Sequence, residues 1–202
     1  LEVKQGKKKE LTTVEKIRIE AAEYYHTKML ENGGKEYFLG KRQHSVDTVK
    51  AEKCGWSDGR LLDHLRTKGF SDKEMLDSGL VKEREVGSGN DKQMRLFDFF
   101  SKGLALFPHW SHGKVLHFTM KDPREIPVDE KLKYQLKNEQ RDKRWTFYGQ
   151  DVLYGDKYQE VILVEGEHDR LQILNTGIPY VCAMIGSISE DQLKTLSSRG
   201  IG

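Results

Sequence analysis

The chain has 202 residues with a formal net charge of +2, and 36% of them are hydrophobic while 33% are charged. That length holds one sizeable domain or two small ones, because domains cluster near ~100 to 150 residues. The composition excludes a disordered chain, no apolar run approaches the ~20 residues of a membrane span, and the net charge alone is too small to argue for nucleic-acid binding.

The first half of the sequence predicts a helical subdomain. Residues 1–12 form a basic lead-in that we expect to be mobile, and their start without a methionine suggests a fragment. Helical spacing runs over residues 13–31 and ends at the Asn-Gly-Gly of residues 32–34. Shorter helices are predicted at residues 58–66 and 71–77, the second of which opens with a Ser/Glu capping box.

The middle of the chain predicts two strands around a turn. A loop is expected over residues 86–91, and the strands are expected at residues 104–107 and 115–119. Residues 121–128 contain two prolines and suit a linker or a sheet edge.

The chain offers few ligands for zinc. Cys54 and Cys182 are far apart in apolar surroundings, so we expect reduced core thiols. His109, His112 and His117 come closest to a ligand set, but zinc normally takes four ligands and no cysteine is near. A turn between two strands explains these histidines, and no zinc is expected in this chain.

Residues 161–185 are the most informative stretch. Four apolar residues at 161–164 predict a strand buried on both faces, and Gly166 then permits a tight turn into a helix over residues 167–175. A second strand is expected around residues 180–184. Ligands of open α/β sheets bind beyond the carboxyl ends of the strands, so Glu165 stands where catalysis occurs in such folds, although a capped strand-to-helix turn explains the same pattern.

This order of strand, helix, strand, loop and helix resembles the first half of the Toprim domain found in bacterial-type primases, topoisomerases and some nucleases. Glu165, Gly166 and Asp169 match its first motif, and Gly186-Ser187 matches a Gly-Thr step. The resemblance implies that Glu165 and Asp169 are catalytic, that Glu165 is part of a metal site, and that Gly166, Gly186 and Ser187 let backbone and phosphate approach closely. For Asp169, a helix N-terminal acid stabilised by the dipole remains an equal alternative.

Upstream segments narrow the resemblance to DnaG-type primases, because they occur in the same order as in that family's catalytic core. These segments include Tyr37-Phe38-Leu39-Gly40, Cys54-Gly55-Trp56, Asp77-Ser78-Gly79-Leu80, Phe107-Pro108 and Phe147-Tyr148-Gly149. The implied fold class is α+β passing into α/β. A helical and mixed-sheet N-terminal subdomain at residues 13–156 would be followed by a truncated, Rossmann-like Toprim start with parallel strands at residues 157–202.

A basic cluster lies between residues 131 and 144, where six basic residues face two acids and aromatic residues are interleaved. Such a composition suits phosphates and unpaired bases, although a solvated charged surface is the usual alternative. The resemblance implies that these residues hold template and nucleotide, together with one lysine upstream. The predicted binding residues are Lys102, Lys131, Lys133, Tyr134, Lys137, Lys143 and Arg144.

The sequence departs from the family in two ways that bear on function. Before Phe107-Pro108 the family has an arginine-rich segment, of which only Lys102 keeps a positive charge here. The family's Asp-x-Asp pair is also absent from the 202 residues. Mg²⁺ is normally bound by more than one oxygen ligand plus substrate phosphates, so we expect an incomplete Mg²⁺ or Mn²⁺ site and little primer synthesis by this chain alone.

The resemblance implies a DNA primase, a nucleotidyltransferase that makes RNA primers on single-stranded DNA from ribonucleoside triphosphates. A DnaB-like replicative helicase as partner, a cytoplasmic location, no membrane association and a phage or mobile-element origin are further expectations. Two alternatives stay open, namely a Toprim nuclease that shares Glu165 and a non-catalytic adaptor that binds single strands or a helicase.

Overall fold

The N-terminal part is mainly helical in the computed structural model, which describes residues 10–89, 91–124, 146–154 and 157–200. Helix α1 begins after a capping box in which Thr12 and Glu15 bond each other's backbone N–H groups. The α-helices of this part are α1 (Thr13–Met29), α2 (Asn32–Lys35), α3 (Val46–Ala51), α4 (Leu61–Thr67) and α5 (Asp72–Asp77), with a π-helix at Glu36–Lys41 between α2 and α3.

The predicted helix ends are confirmed in part. Helix α1 stops at Met29, close to the expected end, but the chain then resumes helical turns through the two glycines instead of forming a loop. A Cβ on Gly34 would lie 2.7 Å from the Met29 backbone, so glycine permits a close packing of α2 on α1. The predicted capping box of Ser71 and Glu74 is confirmed at the start of α5.

A three-stranded antiparallel sheet packs against α1. Its strands β1 (Gly55–Trp56), β4 (Ala105–Ser111) and β5 (Lys114–Lys121) lie in the order β1-β4-β5. Strands β4 and β5 are the predicted pair around a turn, and His112 and Gly113 both adopt positive φ at that turn. Strand β5 extends two residues past its expected end and includes Lys121, the first residue of the expected linker or sheet edge.

A second hairpin was not predicted. Strands β2 (Val81–Val86) and β3 (Gln93–Asp98) pair antiparallel and flank the expected loop. Asp98 anchors the hairpin to α4, because its carboxylate accepts the N–H groups of Leu61 at 2.8 Å and Leu62 at 2.7 Å.

The C-terminal part follows the predicted order. Strands β6 (Ile162–Val164) and β7 (Val181–Ala183) are parallel neighbours, with α6 (Glu167–Asn175) between them and α7 (Glu190–Ser198) after them. A capping box of Ser189 and Gln192 opens α7. The expectation of complete burial for β6 was wrong, since its three residues are only half-buried.

One hydrophobic cluster joins the two parts of the chain. It combines residues of the helices, of β4 and of the C-terminal unit, namely Met29, Tyr37, Phe38, Val49, Cys54, Ala105, Phe107, Tyr148, Leu171 and Ala183. An antiparallel bridge between Tyr148 and Ala183 extends the contact to the backbone. A second cluster fills the space between α1, α4, α5 and the antiparallel sheet.

Both cysteines are free and buried, as the sequence predicted. Burial raises the pKa of the Cys182 thiol to about 12 and that of Cys54 further, so both stay protonated at neutral pH.

Across the described residues, no helix combines the length and the apolar character that a membrane crossing requires.

Candidate active site at the carboxyl ends of the parallel strands

Glu165 lies where β6 ends, with its side chain exposed to solvent. Its backbone carbonyl accepts the N–H of Gly186 at 3.1 Å, which ties the end of β6 to the loop after β7. That loop bends through two residues with positive φ, Ile185 at 61° and Gly186 at 104°. The exposed Ser187 follows directly, so the residues predicted from both strands meet at one sheet edge.

Asp169 belongs to the same edge because it caps the helix that Glu165 precedes. The N–H of Gly166 donates to Asp169 Oδ2 at 3.0 Å, and Gly166 occupies the N-cap position of α6. A carboxylate in the first turn is favoured by the helix dipole. The contact holds the Asp169 side chain at the start of α6, one turn from Glu165.

A buried polar chain lies behind this edge, and the sequence did not predict it. His168 Nδ1 shares a hydrogen bond of 2.8 Å with His44 Nε2, and its Nε2 shares one of 2.9 Å with the Tyr37 hydroxyl. The two imidazoles are nearly coplanar, with 6° between their planes. Burial, together with the nearby positive charge of Arg42, lowers the pKa of His168 to about 3 and that of His44 to about 4, so both rings are neutral at pH 7.

Glu167, the residue before His168, was also missed. Its side chain is 1% exposed, and neither carboxylate oxygen has a hydrogen-bond partner in the part of the chain that the structure describes. Lys121 Nζ lies 3.4 Å from Glu167 Oε2 and supplies a counter-charge from the end of β5. The contact joins the end of β5 to the first turn of α6.

Arg170 fastens the helix from its other side. Its guanidinium forms an ion pair with Glu52, donates to the Val181 carbonyl at 2.9 Å and lies over the Tyr148 ring. Helix α6 is therefore bonded both to β7 and to the end of α3, and the Glu165 edge has a rigid support.

The other predicted residues divide into two groups. Lys102 is exposed in the turn before β4, beside Gly59, and no hydrogen bond or ion pair within the described ranges joins it to Glu165 or Asp169. The remaining predicted binding residues, Lys131, Lys133, Tyr134, Lys137, Lys143 and Arg144, lie outside the described residues.

The three middle histidines do not converge. His109 and His117 stack with their centroids 3.9 Å apart and bond the hydroxyls of Thr119 and Thr146, respectively. His112 sits in the turn and contacts the Tyr154 ring instead. Within the described residues, no three His, Cys, Asp or Glu side chains are grouped for a metal ion.

Together, the helical N-terminal part, the antiparallel sheet and the parallel pair have the fold of solved DnaG-type primase catalytic cores. The RNA polymerase domain of Mycobacterium tuberculosis DnaG, in complex with a double-stranded DNA oligomer that has a 6-nucleotide overhang, matches with a TM-score of 0.74 at 20% identity over 95% of this chain and 60% of that chain. A DnaG primase catalytic domain bound to single-stranded DNA matches at 0.69 and 18%, over 94% and 60%. A DNA primase domain from Pseudomonas aeruginosa matches at 0.69 and 22%, over 92% and 58%.

In sequence, the chain is 30% identical over 163 residues to a DNA primase of Deinococcus radiodurans, which covers 74% of this chain and 26% of that protein. The chain thus spans about a quarter of the length of this curated relative. No protein-family model matches it. The predicted resemblance is confirmed, and the chain has the fold of the DnaG-type primase catalytic core.

Proposed function

We propose that the chain is part of the RNA polymerase core of a DnaG-type primase, which joins ribonucleotides into short RNA primers on single-stranded DNA. The observation that carries this proposal is the position of Glu165 at the carboxyl end of β6, tied through its backbone carbonyl to Gly186 in the loop after the neighbouring parallel strand, in a chain with this fold. The Toprim-type motif of the sequence and the similarity to a DNA primase support the same conclusion.

The two carboxylates of the edge fit a hard divalent cation, Mg²⁺ or Mn²⁺. Such ions take oxygen ligands, and the Glu165 carboxylate is exposed and makes no hydrogen bond or ion pair with any described residue. Asp169 uses Oδ2 for the Gly166 N–H and keeps Oδ1 available. When bound, the metal would neutralise triphosphate charge, and further carboxylates beyond these two would be needed because no Asp-x-Asp occurs in the 202 residues.

In the proposed reaction, Glu165 holds the cation or accepts the proton that leaves the attacking 3′ hydroxyl. Asp169 orients the same site from the first turn of α6. Gly166 and Gly186 allow the triphosphate to approach the backbone beside Ser187, because a side chain at either position would narrow the edge. Given the missing carboxylates, we expect the 202 residues alone to make little or no primer.

The basic residues Lys102, Lys131, Lys133, Tyr134, Lys137, Lys143 and Arg144 are proposed to hold template and ribonucleoside triphosphates. Phosphate contacts by lysine and arginine supply affinity, and the Tyr134 ring can stack on an unpaired base. Residues 13–156 would form this binding subdomain and residues 157–202 the start of the Toprim unit. A replicative helicase of the DnaB type is the proposed protein partner, in the cytoplasm of a bacterium or of a phage-infected cell.

A product assay on the full-length protein tests this proposal. Single-stranded DNA labelled at its 5′ end is incubated with Mg²⁺ or Mn²⁺ and ribonucleoside triphosphates that carry a second label. We expect short labelled RNA and an intact template. Cleaved template without RNA would favour the nuclease, and bound but unchanged template without RNA would favour the adaptor; either result contradicts the proposal.

A further inference from the structure

The β2–β3 hairpin separates its charges by face. Residues paired across an antiparallel ladder share a face, and successive pairs alternate between faces. One face carries Asp98, Glu83 and Glu85, with Val81, Leu96 and Met94 opposite them. The other, which we name the basic face, is formed by the pairs Lys82 with Phe97, Arg84 with Arg95, and Val86 with Gln93.

The centre of the basic face holds two arginines directly opposite each other. Like charges at paired positions repel, so this arrangement is unfavourable in the isolated hairpin. Both side chains are exposed, and no carboxylate in the described ranges forms an ion pair with either one. Arg95 also borders a shallow depression with Asp72 and Glu83, yet without an ion pair to them. A negatively charged partner from outside the chain would relieve the repulsion between the two arginines.

The neighbours of the arginines add a third cation and an exposed ring. The Lys82 ammonium donates a hydrogen bond to the Phe99 carbonyl at 3.0 Å. The pKa of Lys82 is lowered, first by burial and second by the positive charge of Arg84. Phe97, paired with Lys82, is 39% exposed although it is a large apolar side chain. No acid lies in the three residue pairs of this face.

We propose that the basic face binds single-stranded nucleic acid, with phosphates at Arg84 and Arg95 and a base stacked on Phe97. Cations hold a phosphodiester chain through charge, and an exposed ring stacks on unpaired bases, whereas a duplex covers the faces of its bases. Its residues belong to β2 and β3, whereas Glu165 follows β6. The proposed binding by the basic face does not depend on whether the chain supports primer synthesis.

Fluorescence anisotropy with a labelled oligothymidylate of about 20 nucleotides tests the charges. Because each phosphate contact to a single strand contributes about 0.7 to the salt dependence of log K, Arg84→Ala/Arg95→Ala should lower that slope by about 1.4 and raise Kd roughly tenfold at low salt. The charge-matched control Lys16→Ala/Lys50→Ala alters two exposed lysines on α1 and α3 and should leave the slope unchanged. Equal slopes for wild type and the arginine variant would overturn the proposal.

Two further variants separate binding from folding and single strands from duplex. Arg84→Lys/Arg95→Lys keeps the charges and should bind within about threefold of wild type, while the alanine variant should keep the wild-type circular dichroism spectrum. Phe97→Ala should weaken binding to the single strand about five- to tenfold and leave binding to the matching duplex unchanged. A Phe97→Ala variant with wild-type affinity for both would refute the assignment to single strands.

Discussion

His168 connects the candidate active site to a distant part of the sequence. Both of its ring nitrogens are bonded to side chains of the N-terminal part, Tyr37 and His44, while its neighbour Asp169 lies at the solvent edge. The motif Glu-Gly-Glu-His-Asp predicted the two outer acids because their spacing is local. The motif could not predict the role of His168, which lies between those acids, because its partners Tyr37 and His44 lie 131 and 124 residues away in the sequence.

This histidine pair makes stability depend on pH. The pKa values of His168 and His44 are lowered to about 3 and about 4, so the unfolded chain binds protons below pH 6.5 that the folded chain does not. The stabilising contribution is fully present above pH 6.5 and is lost as the pH falls toward 4. We expect the unfolding free energy to fall by up to about 1.4 kcal/mol per pH unit for each histidine in that window.

Urea unfolding at pH 7, 5.5 and 4.5 measures this dependence. The variant His44→Asn/His168→Gln removes both groups and should show a flatter decline, although its stability at pH 7 is lower because the buried bonds are weakened. His26→Gln exchanges a histidine that bonds the Cys54 carbonyl; it is the control and should keep the wild-type slope. Identical slopes in all three proteins would contradict the prediction.

At the scale of elements, the parallel pair and the β4–β5 hairpin were predictable because apolar runs and turn residues mark them. The β2–β3 hairpin escaped prediction because each of its faces mixes charged with apolar residues, so neither face is apolar along its whole length. Its position depends on Asp98, which bonds the first turn of α4 through a contact that local sequence does not reveal.

The opposed arginines of this hairpin lead to a stability prediction. Arg95→Thr should raise the unfolding free energy by about 0.2 to 1 kcal/mol, because it removes a like-charge pair and introduces a β-branched residue. Arg84→Thr should act similarly, and the double variant should gain less than the sum of both, since either change relieves the same repulsion. Thermal or urea unfolding at low salt gives the three values. Destabilisation by both single changes would show that the arginines support the hairpin.

At the scale of the whole molecule, the two parts of the chain share one core. Phe38 and Phe107 from the N-terminal part lie in the same cluster as Leu171 and Ala183, so the division at residue 157 stays a prediction with extensive contacts across it. The order of family segments predicted the overall fold. Contacts such as Arg170 with Glu52 and His168 with Tyr37 could not be predicted, because they pair side chains more than 100 residues apart.

The ion pair of Glu52 and Arg170 is one of these contacts. Arg170 is 4% exposed, and removal of one partner from a buried pair leaves an uncompensated charge. Glu52→Gln should therefore lower the unfolding free energy by about 3 kcal/mol, at the low end for such pairs because Glu52 keeps some exposure. Glu23→Gln breaks the exposed ion pair between Glu23 and Lys53, the residue after Glu52, and should lower the unfolding free energy by at most about 1 kcal/mol. Equal losses in urea unfolding would argue against a structural role for the buried pair.

We propose that Glu165 carries the chemistry of primer synthesis. The most direct measurement is kcat/KM for RNA primer synthesis on single-stranded DNA by the full-length protein, by Glu165→Gln and by Glu160→Gln. Glu160 is an exposed glutamate at the opposite end of β6 and serves as the matched control. We expect Glu165→Gln to lose roughly 10² to 10⁴ in kcat/KM with unchanged folding, while Glu160→Gln keeps wild-type activity. Primer synthesis by Glu165→Gln at the wild-type rate would contradict the proposed role of Glu165.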